Sequence, residues 1–257
     1  PIIGGHLQSI AVGDVDTVIH NLYQTFDLIG VVLNGIIGGA IARQRNFDFV
    51  GFVFLALFSA LGGGMLRDVL MQKGTAAAIA NPTYLLLACC GATIALVTHF
   101  KGNTWELFKV HGDAIILGVW SVTGCVKALV FDMPLVSAVF MGVLTAVGGG
   151  MIRDVVTGQI PSIFGGGTLY AVPATISATV MTLFHVTGHQ ALGMIISPII
   201  GGGLVILAYW KGWVLFRSSE WAPVNMTAVQ LRELAKRSER QGWNMARRIK
   251  KKIEGEF

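Results

Sequence analysis

Gly62-Gly63-Gly64-Met65-Leu66-Arg67-Asp68-Val69 recurs 86 residues later as Gly148-Gly149-Gly150-Met151-Ile152-Arg153-Asp154-Val155. Only Leu66 changes, to Ile152. Each copy lies inside a long apolar run. A helix in lipid must satisfy its own backbone hydrogen bonds. Three successive glycines weaken such a helix, and an Arg-Asp pair at that depth is costly. Carrying both penalties twice, at one offset, points to a duplicated membrane unit with a bent helix in each half.

The same offset of 86 holds without gaps beyond the octapeptide: Asp27 matches Asp113, Gly38 matches Gly124, Ala42 matches Ala128, and Tyr84 matches Tyr170. Val53-Phe54 matches Val139-Phe140, and Ala92-Thr93 matches Ala178-Thr179. A bilayer core takes about 20 largely apolar residues per helix. Spans are predicted at roughly 25–42, 49–71, 82–100, 112–131, 135–157, 168–187 and 191–213. An odd number of spans per repeat inverts the second copy relative to the first. The expected fold class is an all-α membrane protein of seven transmembrane helices: two inverted three-helix repeats plus a seventh helix. The expected division is an N-terminal extracellular segment 1–24, a first repeat 25–111, a second repeat 112–190, a seventh helix 191–216 and a basic cytoplasmic tail 217–257.

Composition agrees with a membrane protein. Of 257 residues 53% are apolar and 13% charged, and mean hydropathy is +0.66. The net charge of +5 is all in the tail, because residues 226–257 carry nine Lys/Arg against four Asp/Glu. That placement gives no basic face for nucleic acid, and no nucleic-acid partner is expected. Residues 226–253 read as a basic amphipathic helix suited to anionic lipid, or as a solvated tail. Cys89, Cys90 and Cys125 fall in apolar runs and read as small buried residues. No secretory leader is expected. Arg43, Arg45, Lys101, Lys109, Arg153 and the tail fall on one side of the membrane. By the loop-charge rule that side is cytoplasmic, which sets the N-terminus outside and the C-terminus inside. The expected location is the plasma membrane of a prokaryote, multi-pass.

Each repeated motif admits two readings. The triplets Gly62–Gly64 and Gly148–Gly150 either let two helices cross closely or unwind to turn carbonyls toward a polar path. Sequence neighbours do not face each other on a helix. Arg67 beside Asp68, and Arg153 beside Asp154, are therefore expected to pair with groups on other helices and position the bent ones. Ser59 and Thr145 face a pore or bond back to their own helix. Lys127 stands unpaired in its span; it either snorkels toward Asp132 or faces the pore as a charge barrier. Asp27 and Asp113 form charged vestibules or, more simply, complement helix N-terminal dipoles. The sequence contains no nucleophile triad, phosphate-binding loop or paired-carboxylate pattern, so an enzyme is not expected, nor is a cofactor or metal.

Two inverted three-helix repeats, each with Gly-Gly-Gly-x-x-Arg-Asp in its second helix, plus a seventh helix, resemble the prokaryotic trimeric intracellular cation (TRIC) channel family. The resemblance spans about residues 20–215. It implies a homotrimer with one pore per subunit, lined by kinked second and fifth helices, that passes monovalent cations such as potassium and sodium. Bound membrane lipid fits the same picture. Lys127 is the one basic residue where animal relatives carry a lipid-interacting cluster. The bacterial family has also been labelled a glycine transporter. A secondary transporter of glycine or a similar small zwitterion is therefore the alternative function. A membrane scaffold is a third reading.

Overall fold

The computed structural model describes residues 2–98, 102–161, 163–164 and 169–213, with side chains from residue 21 onward except 103–104. His99, the Gly165–Gly167 triplet and the basic tail from 217 lie outside the described residues. Every regular element is helical: α1 (Ile2–Gln44), α2 (Phe49–Met71), α3 (Ala77–Ala80), α4 (Pro82–Val97), α5 (Asn103–Val130), α6 (Leu135–Val156), α7 (Ala171–Val186) and α8 (Gln190–Lys211).

Among the described residues, five segments are long and apolar enough to cross a bilayer: 21–44, 49–71, 105–130, 135–156 and 190–211. The helices α4 and α7 are apolar but only 16 residues each, about 24 Å at 1.5 Å per residue. Both are shorter than the spans expected at 82–100 and 168–187. The end of α4 is set by Arg43. Its guanidinium donates to the carbonyls of Ala95 (3.2 Å), Thr98 (3.0 Å) and Leu96 (2.9 Å). A cation on the last carbonyls of a helix satisfies orphan acceptors and complements the dipole.

Local signals start and stop the helices. Asp48 caps α2 by accepting from Gly51 N–H at 2.7 Å, and Asn81 caps α4 by accepting from Thr83 N–H at 3.0 Å. Three pairs of left-handed turn residues are spaced by the repeat offset. They are Asn46 and Asp132 (φ 54° in both), Gln72 (52°) and Gly158 (70°), and Gly102 (92°) and Gly188 (76°). The duplication seen in residue identities is thus also present in the turns.

The repeats meet where α2 crosses α6. A Cβ on Gly63 would stand 2.3 Å from the Thr145 carbonyl oxygen, and one on Gly149 would stand 2.4 Å from that of Ser59. No side chain fits at either position. Gly62 faces Ile152, while Gly148 faces Leu66. Residue numbers rise along one helix as they fall along the other, so the two cross antiparallel. Both helices continue unbroken through their triplets. The expectation of unwound backbone there is corrected. The glycines let two regular helices touch backbone to backbone, which leaves the hydrogen-bond ladders intact. α8 packs on the second repeat in the same way. Gly201 lies against Ser177 of α7, and Gly202 against Ala114 of α5.

Among the cysteines, Cys125 is buried, but Cys89 and Cys90 are exposed on α4. So are Val97 and Leu86, 75% and 69% exposed. An apolar outer surface of this kind is what contact with lipid tails requires.

Candidate functional site: two repeat-related cavities

Two cavities flank the α2–α6 crossing, each about 40 Å3 and roomy enough for about two or three waters. Their linings correspond at the repeat offset. The first is walled by Asp27, Ala60, Leu61, Gly64, Met65, Arg67 and Tyr84. The second is walled by Asp113, Ala146, Val147, Gly150, Met151, Arg153 and Tyr170. Because α2 and α6 are antiparallel, Arg67 and Arg153 lie beyond opposite ends of the crossing. The cavities therefore lie on opposite sides of the crossing.

In the first cavity the Tyr84 hydroxyl donates to Asp27 Oδ2. In the second, Tyr170 hydrogen-bonds to Asp113. A carboxyl-phenol pair thus stands in each. The dipole reading of these two acids is corrected. α1 begins at Ile2 and α5 at Asn103, so Asp27 and Asp113 lie well inside their helices, beyond the reach of a terminal dipole.

The Arg-Asp pairs also differ from expectation. Arg67 Nε donates to Asp68 Oδ1 at 2.7 Å, and Arg153 NH2 to Asp154 Oδ1 at 3.0 Å. Each Arg thus meets its own sequence neighbour rather than only a group on another helix. The i,i+1 rule concerns Cβ directions. The four-torsion Arg side chain folds back around the helix to a short Asp. Lys127 is not unpaired: its Nζ donates to Asp68 Oδ1 at 2.7 Å. It turns to α2 rather than to Asp132. Asp68 Oδ2 also accepts from the Ala77 N–H at 2.9 Å. One buried carboxylate therefore joins α2, α5 and the start of α3.

Thr145 lines the first cavity, yet its hydroxyl donates to the Met141 carbonyl at 2.7 Å. Back-bonding and cavity lining hold together at this residue. Ser59 is fully buried beneath α1 at Gly38, and its hydroxyl has no hydrogen-bond partner among the described residues. It does not line either cavity. Thr145 meets Gly124 in the equivalent way.

The sequence profile of the family described as Glycine transporter matches residues 24–100 and 111–186, which are the two repeats. The chain belongs to the Glycine transporter family. A membrane protein of Deinococcus radiodurans, classed as UPF0126, is 30% identical over 201 residues, 77% of this chain and 89% of the relative. The inner membrane protein YadS of Escherichia coli K12 is 32% identical over 181 residues, 68% of this chain and 87% of the relative. Solved TRIC structures share the fold. One described as a TRIC cation channel superposes with a TM-score of 0.69 at 27% identity, covering 79% of this chain and 98% of its own. The Rhodobacter sphaeroides TRIC orthologue gives 0.69 at 25%, covering 75% and 99%. With its five long apolar helices, this Glycine transporter family member is a multi-pass, all-α membrane protein of the TRIC fold.

Two residues of the family member's site carried no signal of their own in the sequence. Trp120 lines both cavities, and Asn34 lines the second. They are repeat counterparts, separated by 86 residues. Trp120 is 6% exposed. Its indole N–H faces the Asp27 carboxylate without closing a hydrogen bond of ordinary geometry. Asking where the repeat breaks, instead of where it holds, finds this pair.

Proposed function

We propose that the protein is a channel for monovalent cations, potassium and sodium, with one path per subunit of a homotrimer. The path runs from the Asp27–Tyr84 cavity past Trp120 to the Asp113–Tyr170 cavity. The observation that carries this reading is the pair of matching acid-lined cavities on opposite sides of the crossing, both touching one residue. A buried carboxylate attracts and partly dehydrates a cation, and a phenol beside it offers further oxygen. Rows of such groups at membrane depth mark ion paths. The solved structures of like fold are described as cation channels, which supports the same assignment. Gly62–Gly64 and Gly148–Gly150 then serve the path indirectly, by bringing α2 and α6 close enough for one residue to reach both cavities. Seven spanning helices, a plasma-membrane location with the N-terminus outside, and anionic lipid at the basic tail belong to this proposal.

Secondary transport of glycine is the second reading. It is favoured by the family description and by two cavities that a single side chain separates, as alternating access requires. Purified protein in a planar bilayer under a KCl gradient decides between them. A channel gives discrete ohmic steps whose reversal potential shifts toward that of potassium. Saturable glycine uptake without such steps would replace the channel with the transporter.

A further inference from the structure

The two halves differ at the point where they meet. The first repeat places Gly30 and Asn34 one helical turn apart on α1; the second places Ile116 and Trp120 at the equivalent positions of α5. A bulky indole in one half thus coincides with a glycine in the other. The fit is direct: a Cβ on Gly30 would stand 3.1 Å from Cε2, Cζ2 and Nε1 of Trp120. The indole lies on bare α1 backbone. The Gly30 carbonyl, in turn, accepts from Asn34 Nδ2 at 3.4 Å.

We propose that the Trp120 indole is the barrier between the two cavities, closed when seated on Gly30 and opened when it swings off that seat. This rests on the path proposed above. Three observations converge on it. Trp120 is the residue that both cavities share. Its N–H is buried and faces the Asp27 carboxylate without a hydrogen bond of ordinary geometry, so leaving the seat gives up that loose contact and no well-formed bond. The seat on α1 is a glycine, so on that side the ring meets backbone and no side chain, while its remaining contacts are with the apolar side chains of the buried core. An apolar ring across a narrow polar path excludes water, and a dewetted constriction stops ions without sealing sterically against every atom. Ion passage then depends on the size of residue 120 and not on its N–H.

The test is a series at one position in the full-length protein: Trp120→Phe, Trp120→Leu and Trp120→Asn. The last restores the residue found in the first repeat. Single-channel current and open fraction are measured in planar bilayers, with detergent melting to verify folding. Phe preserves aromatic packing, so the series retains a folded member even if Asn fails. The expected result is a graded rise in flux as side-chain volume falls, small for Phe and severalfold for Leu and Asn. Flux unchanged from wild type in the folded variants overturns the barrier. If wild type passes no ionic current but accumulates glycine, the channel reading fails by itself. The same series is then read by glycine uptake: a rate that changes with residue volume sustains the barrier, and a flat series overturns it.

Discussion

The cavity around Asp27 and the cavity around Asp113 are built from corresponding residues, yet their charges are arranged differently. In the first, Asp68 is held by Arg67 and Lys127 at 2.7 Å each. In the second, position 41 is Ile where the repeat would require the counterpart of Lys127. Lys109 of α5 pairs with Glu106 at 2.8 Å and also faces Asp113. Each half sets two carboxylates against two cations, but in the first both cations bond Asp68, whereas in the second Arg153 bonds Asp154 and Lys109 faces Asp113. The two chambers therefore differ in which carboxylate the second cation serves. Duplication supplied the two chambers, and divergence at a few positions gave each its own character.

The largest test of this comparison is Asp68→Asn against Asp154→Asn. Asp68 is 5% exposed and joins two cations to a backbone N–H. Its loss strands buried charge, which costs about 3–5 kcal/mol. Detergent melting should show Asp68→Asn clearly less stable than Asp154→Asn. Equal melting temperatures would mean that Lys127 adds nothing to the first half.

A second test asks what the glycine triplets are for. Gly63→Ala and Gly149→Ala force a Cβ into a facing carbonyl, and overpacking of this kind costs about 1–3 kcal/mol. Gly64 has only the flexible Arg67 tip within 4 Å, at 3.9 Å. Gly64→Ala should therefore be neutral, or stabilising by up to about 1 kcal/mol through helix propensity. If all three variants melt alike, the triplet acts through backbone freedom, not close crossing.

Tyr84→Phe and Tyr170→Phe each remove one phenol from a buried acid, worth about 1 kcal/mol. Matched losses would show that the carboxyl-phenol pairs are equivalent in the two halves. A loss confined to one would locate the asymmetry at the acids themselves, not at Lys127.

The smallest expected change in stability accompanies an informative change in flux. Lys127 is partly exposed, and Asp68 keeps Arg67 and Ala77 without it. Lys127→Gln should cost about 0.2–1 kcal/mol and raise cation current. Ile41→Lys places the same charge in the other half and should lower it. Current that ignores both substitutions would remove charge asymmetry from the account of conduction.

The duplication was legible because identity at a fixed offset does not depend on knowing any contact. Helix type followed from the apolar runs, and even the turns conform to the repeat. Boundaries were less legible, since hydrogen bonding carries α1 and α5 past the apolar stretch, and Arg43 ends α4 early. The triplets were visible, but their two readings differ in backbone geometry that composition does not encode. The partner of each Arg is not legible in sequence, because helical-wheel reasoning places Cβ atoms and not the ends of long side chains. Lys127 was recognised as exceptional, while its bond to Asp68 required knowing that α5 lies against the end of α2. Trp120 was hidden because an aromatic in an apolar span is ordinary until it is set beside Asn34.

The paired turns at Asn46 and Asp132 impose a strict condition on helical phase. Each residue advances a helix by about 100°. One residue inserted between Asn46 and Gly62 would rotate the rest of α2 by that angle unless the turn absorbed it. Gly62 would take the place of Gly63, but Leu61 would then stand where Gly62 meets Ile152, and Phe58 where Ser59 meets Gly38 of α1. The gapless 86-residue register therefore acts as an angular lock. This molecule can tolerate many changes of side chain along its outer faces, but very few changes of length between a turn and the crossing it aims.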